Sequence, residues 1–235
     1  MRIALLFLLL LILSGCLFPE QERAENQVPY DDQLQSVQMA VNQFQEDQGV
    51  LPIRNFDKDT SLYQRYLVDF GQLVPTYMQD PPGNSFENGG VFQYVLVNVE
   101  TDPEVKLLDL RIVDQVREVQ RRVNQYRADH RFIPFDEPVG NGVFSIDYEE
   151  IQYDSEPTVE SPYNPNHQLP LRIHQDGNVV IDYEIDLQQT FKDAELEGAA
   201  SNETDLRKLL IESSPFVPVY SLSYTFEDGE IKFFQ

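Results

Sequence analysis

Two clusters of carboxylates are the side chains in this sequence that could bind a cation. The first cluster consists of Asp147, Glu149 and Glu150, with Asp154 nearby. In the second, alternate spacing would place three acids on one face of a strand: Asp182, Glu184 and Asp186. Oxygen-rich sites of this kind suit hard cations such as Ca²⁺, but the sequence has no twelve-residue calcium-binding loop. The alternative interpretation is that both clusters are solvated strand faces.

Other catalytic patterns are missing from the sequence. Its three histidines do not form a His-Glu-x-x-His motif, and His130 and His174 are expected at a helix end and on a polar strand face. There is no Gly-x-Ser-x-Gly elbow, phosphate-binding loop or dinucleotide-binding glycine pattern. We therefore expect a protein that is not an enzyme, with no cofactor and no assigned metal ligand.

The lone cysteine stands at the end of an N-terminal apolar run. Residues 3–13 are apolar throughout, Arg2 is the charge before them, and the run is too short for a typical membrane span. The residues that follow resemble the lipobox of bacterial lipoproteins: Leu13, Ser14, Gly15 and Cys16. This resemblance implies that residues 1–15 are a cleaved signal peptide and that Cys16 is acylated. The alternative is a short uncleaved anchor.

The overall charge limits the partners of the chain. Lysine and arginine total 17, aspartate and glutamate total 40, and the formal charge is −23. Such a surface is repelled by nucleic acid and by anionic lipid head groups, so we expect no nucleic-acid ligand. Cations and basic protein surfaces are the favoured partners, although solubility alone could explain the charge.

An internal duplication organises the folded part. Residues 32–52 align without gaps on residues 114–134, and nine of the 21 positions are identical, where chance would give roughly one or two. Each copy has apolar residues at helical spacing: Leu34, Val37, Val41 and Phe44, then Val116, Val119, Val123 and Tyr126. We expect N-caps at Asp32 and Asp114 and left-handed helix ends at Gly49 and Arg131.

Behind each helix the apolar period changes to two, which predicts strands. Val68 and Asp69 of the first copy correspond to Ile146 and Asp147 of the second, and these aspartates are expected to hold turns. A turn-rich stretch and a further strand follow in each copy. The pattern predicts two tandem α+β units, each a helix packed on a small antiparallel sheet.

The second unit carries a predicted extension of hairpin, helices and hairpin. Apolar alternation pairs Ile173 with Val179 through a three-residue loop that contains a left-handed Gly177. It also predicts a C-terminal hairpin with a two-residue turn at residues 228–229. Between these hairpins, residues 187–197 and 204–213 are expected to be helical, the latter capped by Thr204.

Two families share features with this chain. The lipobox, the acidic segment after it, the duplicated helix and residues 213–220 together resemble uncharacterised lipoproteins of Gram-positive Bacillus-type bacteria. That resemblance implies no particular activity. The helix that closes on residues 47–52, with residues 80–84 and a strand after it, is similar to the globular part of pseudopilins. Because pseudopilins have no lipobox, only the packing plan would be shared.

These features predict four segments and a location. We expect a signal peptide at residues 1–15, a flexible tether at 16–30, and α+β units at 31–112 and 113–235. The expected function is a non-enzymatic protein-binding or scaffold module on the extracytoplasmic face of the cell membrane. Its partners would be the bilayer, through acylated Cys16, and another envelope protein. The alternative function is a cation-dependent binder or hydrolase of cell-wall polymers that uses an acidic cluster.

Overall fold

A computed structural model describes residues 30–58, 60–193, 205–227 and 229–234. The predicted signal peptide, the tether up to residue 29, Cys16 and the lipobox residues lie outside these ranges. Within them, no helix is both long enough and apolar enough to span a bilayer. The chain is an α+β protein with helices and small antiparallel sheets, as predicted.

The first unit packs one long helix on a hairpin. Its helices are α1 (Tyr30–Gln48), α2 (Leu62–Arg65) and α3 (Phe70–Leu73), and its strands are β1 (Phe92–Val97) and β2 (Glu104–Asp109). A short 3₁₀ turn covers Phe86–Asn88. The predicted apolar stripe of α1 is buried against this hairpin, so helical periodicity identified the correct face.

The second unit repeats this plan and extends it. Helix α4 (Leu110–His130) follows β2 directly, and the strands are β3 (Phe135–Gly140), β4 (Val143–Ile146), β5 (Thr158–Glu160), β6 (Gln168–His174) and β7 (Val179–Ile181). The extension contains α5 (Glu184–Asp193), α6 (Arg207–Ser213), β8 (Ser223–Glu227) and β9 (Glu230–Phe234). Strand β6 is central, pairing with β4 and β5 and with β7. The predicted unit boundary at residues 112–113 falls within the first turn of α4 and stays a prediction.

Both predicted helix caps are wrong, whereas both predicted helix ends are confirmed. Helix α1 begins at Tyr30, before Asp32, and α4 is capped by Asp109, whose Oδ1 accepts a hydrogen bond from the amide of Arg111 at 2.9 Å. The buried face of α4 extends one turn upstream of Asp114, which moves its start to residue 110. Gly49 and Arg131 both have positive φ, at 72° and 68°.

The duplication is visible in matching hydrogen bonds. Gln38 Oε1 accepts from the Val105 amide at 2.7 Å, and its Nε2 donates to the Pro103 carbonyl at 2.9 Å. Gln120 repeats this geometry with Val179 at 2.7 Å and Gly177 at 2.9 Å. In each unit one glutamine side chain therefore ties the long helix to the start of a hairpin's second strand.

A second pair of matching hydrogen bonds lies where the chain turns back in each unit. The amide of Asp69 donates to the Pro52 carbonyl at 2.8 Å, and the amide of Asp147 donates to the Pro134 carbonyl at 3.0 Å. The Asp69 side chain accepts from the Gly71 amide at 3.1 Å, while Asp147 accepts from the Glu150 amide at 3.2 Å. The expectation that both aspartates hold turns is confirmed.

We expect Gln38→Met and Gln120→Met to lower the free energy of unfolding by similar amounts, about 1–3 kcal/mol each. Methionine preserves the side-chain length but leaves a half-buried amide and carbonyl without partners. Denaturant unfolding of the two variants measures the loss. The matched control is Gln125→Met, whose amide donates to Asp129 on the exposed face of α4. Loss in one unit without loss in the other would show that the two glutamines do not have equivalent roles.

Residues 215–220, here called the crossing segment, join the two units. The Leu107 amide of β2 donates to the Pro215 carbonyl at 2.8 Å, and the Val217 amide returns a bond to Leu107 at 3.0 Å. A few residues later, the Ile181 amide of β7 donates to the Tyr220 carbonyl at 2.9 Å. Because one segment borders the last strand of both hairpins, the units pack together.

Both predicted hairpin registers are confirmed. Ile173 pairs with Val179, and Gly177 is left-handed with φ of 93°. In the C-terminal hairpin Glu227 pairs with Glu230, the register that a two-residue turn requires.

The first predicted helix of the extension starts earlier than expected, at Glu184, and its expected end lies outside the described residues. The second starts at Arg207, and its expected cap, Thr204, also lies outside them.

Candidate functional site

The predicted strand face of Asp182, Glu184 and Asp186 does not exist. Strand β7 ends at Ile181, the Asp182 side chain accepts from the amide of Glu184 at 3.2 Å, and helix α5 begins there. The helical geometry sends the three acids in different directions, because successive residues turn by about 100° instead of alternating. Ile185, which continued strand alternation would place on the buried face with Ile181, is 43% exposed.

Asp182 belongs to a buried network under the C-terminal hairpin. It accepts from the Tyr224 hydroxyl at 3.1 Å and from Arg172 Nε at 3.3 Å. The Tyr224 oxygen in turn accepts from the Tyr183 amide at 2.8 Å. Burial raises the pKa of the Tyr224 hydroxyl well above its usual range, and the charge of Asp182 adds to this effect. The role of this carboxylate is therefore to satisfy buried donors.

Asp186 is buried in a different place, beside Ser161 and His167. Ser161 Oγ donates to one carboxylate oxygen at 2.8 Å, and His167 Nδ1 lies 2.7 Å from the other. The three residue types match a hydrolytic triad, but a nucleophilic serine must contact the histidine, and here Ser161 contacts the aspartate. Ser161 Oγ also accepts from the amides of Tyr163 and Asn164. The group therefore secures a loop. The sequence separation of its members left no motif from which it could be found.

We expect the Asp186 carboxyl to titrate above an ordinary aspartate, because burial raises its pKa more than the hydrogen bonds of His167 and Ser161 lower it. The folded state then binds more protons than the unfolded state between the two pKa values, so stability falls as pH rises through that window. Carboxyl ¹³C shifts measure the titration directly. Ser161→Ala should move the midpoint further up, and a downward shift would contradict this assignment. Asp186→Asn should remove that part of the pH dependence.

The first acidic cluster lines a shallow cleft of about 430 Å³. Asp147 and Glu149 lie on its wall with three further acids, Asp136, Asp154 and Glu156. Glu150 is not part of the lining; its amide is bound by Asp147. In the part of the chain that the structure describes, no group of three or more potential ligands is arranged to hold a metal ion. The cleft is thus acidic without being a formed coordination site.

A larger cleft of about 1060 Å³ lies beside the C-terminal hairpin. We call it the hairpin cleft and define it by β8, β9, helix α5 and residues 139–141 at the β3–β4 turn. Its apolar lining includes exposed Val139 and Phe234, together with Phe191 and Phe226, whose rings stack at 5.3 Å. Five charged side chains stand among these apolar groups: the carboxylates of Glu184, Glu227 and Glu230 and the lysines Lys192 and Lys232. Lys232 lies 3.7 Å from Glu230, so the acids outnumber the lysines by one.

Glu184 is the acid of this cleft with a perturbed titration. Burial raises its pKa, the nearby charge of Asp182 raises it further, and the hydrogen bond from Gln188 at 2.8 Å partly offsets both. A cationic group placed in the cleft would stabilise its charged form. Apolar lining with a few carboxylates is suited to binding an apolar segment that carries basic side chains. Sequence reasoning missed this cleft, because three distant parts of the chain form it.

Comparison with known proteins finds one family match. Residues 30–109 match the model of the YphF family N-terminal domain, a description that states no activity. The match ends at the last residue of β2 and therefore covers the first unit, not the hairpin cleft. No curated protein and no solved structure matches the chain significantly.

Proposed function

We propose that this chain is a non-enzymatic, protein-binding lipoprotein of the cell envelope, anchored through acylated Cys16 on the extracytoplasmic face of the membrane. We further propose that it belongs to the lipoproteins of Gram-positive Bacillus-type bacteria that the lipobox and the duplicated helix resemble. The hairpin cleft is the observation that carries the binding role. It combines apolar side chains with carboxylates in an open surface, as protein-binding sites do.

The polar groups of the chain support a binding role over catalysis. The Ser161, His167 and Asp186 group lacks the serine-to-histidine contact that acyl transfer requires. Asp182 is occupied by Tyr224 and Arg172. A formal charge of −23 favours a basic partner and speeds its encounter.

The test is crosslinking in intact cells that express the chain at its natural level. The anchored wild type should capture one specific envelope protein near a one-to-one ratio and should fractionate with membranes. A Cys16→Ser form exported by a different cleavable signal should lose the membrane fraction and most of that capture. If an abundant wild type captures no specific protein, the binding role is wrong. If Cys16→Ser stays in the membrane fraction, the lipid anchor is wrong.

A second candidate function is cation-dependent binding or hydrolysis of cell-wall polymers. The five acids around the cleft of Asp147 and Glu149 favour it. Calorimetric titration with Ca²⁺, followed by wall fragments, tests this function. Micromolar Ca²⁺ binding that is lost in Asp147→Asn with Glu149→Gln would support it over the binding role, and no heat at millimolar Ca²⁺ would exclude it.

A further inference from the structure

We propose that the outer edge of β9 accepts an added β-strand from a basic, extended segment of the partner protein. This inference rests on the proposed function and names the part of the partner that binds. Strand addition supplies affinity through main-chain hydrogen bonds and specificity through alternate side chains.

The register of the C-terminal hairpin shows which backbone groups of β9 point outward. Pairs in an antiparallel hairpin alternate between hydrogen-bonded and non-hydrogen-bonded, and the Glu227 and Glu230 pair next to the two-residue turn is bonded. The pairs of Ile231 with Phe226 and of Phe233 with Tyr224 are therefore non-bonded, and their amides and carbonyls point away from the hairpin.

Tyr224 confirms this alternation on the other strand. Its carbonyl accepts from the Leu206 amide at 3.0 Å, and its amide donates to Asp205 Oδ1 at 3.4 Å. Residues 205–206 thus cover the outer edge of β8. The main-chain groups of Ile231 and Phe233 make no such bond to any other residue in the described ranges. Among the described residues, the hairpin therefore has one edge with main-chain partners and one edge, that of β9, without them.

Several other strand edges are covered or protected within the described residues. The crossing segment borders β2 and β7, and Tyr66 and Val68 bond to β1. Strand β3 is an exposed edge, but it carries Pro138 and two register shifts, which oppose strand addition. Strand β9 has neither a proline nor a bulge.

The hairpin cleft runs along this open edge. Its lining includes Thr225 and Lys232 from one face of the hairpin and Tyr224 and Phe233 from the other. A cleft that contacts both faces of a two-stranded hairpin lies along one of its edges. Because residues 205–206 cover the edge of β8, we assign the cleft to the edge of β9. An added strand would lie next to Val139 and Phe234, with its basic side chains near the three carboxylates of the cleft.

Charge decides which strand fits. A second copy of this chain would bring another formal charge of −23 to the interface, so repulsion opposes self-association. A segment rich in lysine or arginine gains from the same field. It would also offset the charge of Asp182, which lies close enough to raise the pKa of Glu184.

The test uses the full-length chain in lipid nanodiscs, labelled with ¹⁵N at isoleucine and phenylalanine, and a ten-residue peptide of alternating lysine and valine. In the free protein, the Ile231 and Phe233 amides should exchange fast and the Phe234 amide slowly. Saturating peptide should slow exchange at Ile231 and Phe233 by at least about tenfold. The same peptide with every backbone nitrogen methylated has no amide donor on either edge, so it cannot pair as a strand and should not protect them.

The charge control compares two double variants with equal change in net charge. Glu227→Lys with Glu230→Lys should weaken peptide binding by about tenfold or more, equivalent to about 1.4 kcal/mol. Glu100→Lys with Asp102→Lys, at exposed positions of the first unit, should bind like the wild type. Equal losses in both variants would mean bulk attraction and overturn the proposal. So would protection by the methylated peptide, or slow exchange that depends on protein concentration without peptide.

A photo-crosslinking pair in intact cells separates this inference from the proposed function. Benzoylphenylalanine at Phe234, which is 49% exposed, should capture the partner, whereas the same residue at Phe132, 55% exposed, should not. Capture at position 132 but not at 234 would overturn the β9 site and leave the binding role intact. Capture at neither position, with no partner in general crosslinking, would overturn both.

Discussion

Arg207→Ala should lower the free energy of unfolding by about 2–4 kcal/mol, which is below the 3–5 kcal/mol of a fully buried pair because a quarter of the Asp205 side chain is exposed. Arg207 is 8% exposed and binds Asp205 through Nε and Nη2, the latter at 2.6 Å. It also donates to the Ser221 carbonyl at 3.0 Å and lies over the Tyr63 ring of the first unit. Its removal leaves the half-buried carboxylate of Asp205 without its charged partner and the Ser221 carbonyl without this donor.

The same variant should change how stability depends on pH. Burial acts to raise the pKa of Asp205, but the hydrogen bonds and charge of Arg207 outweigh it and hold that pKa below its usual range. The associated stability is present above the ordinary aspartate pKa and is lost as pH falls through the lowered value. In Arg207→Ala this acid-dependent loss should largely disappear.

Denaturant unfolding at pH 7 and at several acidic pH values measures both effects. The matched control is Arg121→Ala, which removes an exposed arginine paired with Glu118 on α4 and should unfold like the wild type. Arg207→Lys should be intermediate, because lysine keeps the charge but cannot form the forked contact. If Arg207→Ala and Arg121→Ala unfold alike, Arg207 is not the anchor between α6, β8 and the first unit that its contacts indicate.

Leu107→Ala should destabilise the chain by about 2–5 kcal/mol through lost burial and the cavity left behind. The Leu107 side chain is fully buried in the core of the first unit together with Phe216. The Leu107 amide donates to the Pro215 carbonyl, and the Leu107 carbonyl accepts from the Val217 amide, so its main chain binds the crossing segment through two hydrogen bonds. The substitution therefore weakens the contact between the first unit and the segment that leads to the C-terminal hairpin.

A double-mutant cycle with Phe216→Ala tests that connection. If the two side chains pack as one unit, their losses should be non-additive by about 0.5–3 kcal/mol. The control is Leu62→Ala, which removes the same atoms from a side chain that is 50% exposed and should cost far less. Additive losses for Leu107 and Phe216 would show that the crossing segment is not coupled to the first core.

Local sequence patterns gave correct predictions where a residue pattern was compatible with a single conformation. The alternation of apolar residues predicted both hairpin registers, because a shift by one residue would turn the buried side chains to solvent. The repeat predicted the left-handed geometry of Arg131 from its match to Gly49. The predicted caps were wrong because Asp32 lies inside α1, and because burial of Ile112 and Val113 extends α4 upstream, where Asp109 caps it instead of Asp114.

The prediction of a strand from the alternating acids after β7 was wrong for a different reason. The spacing of Asp182, Glu184 and Asp186 is compatible with a strand, but the Asp182 side chain bonds the Glu184 amide and a helix begins. Where the first unit meets the second, α4 likewise follows directly after β2, with Asp109 accepting a hydrogen bond from the Arg111 amide. That parallel was present in the duplication, but the recognised alignment covered only the helix and not the end of the hairpin.

By itself, the sequence determined the duplication, the class of fold, the registers of the hairpins and the acidity of the surface. These properties depend on periodicity and composition, which are local or additive along the chain. Only the tertiary structure decided that residues 215–220 border both units, that Asp186 contacts His167, and that the outer edge of β9 lies beside the hairpin cleft with no main-chain partner among the described residues. Each of these features joins segments far apart in the chain, and their contacts depend on how the two units pack.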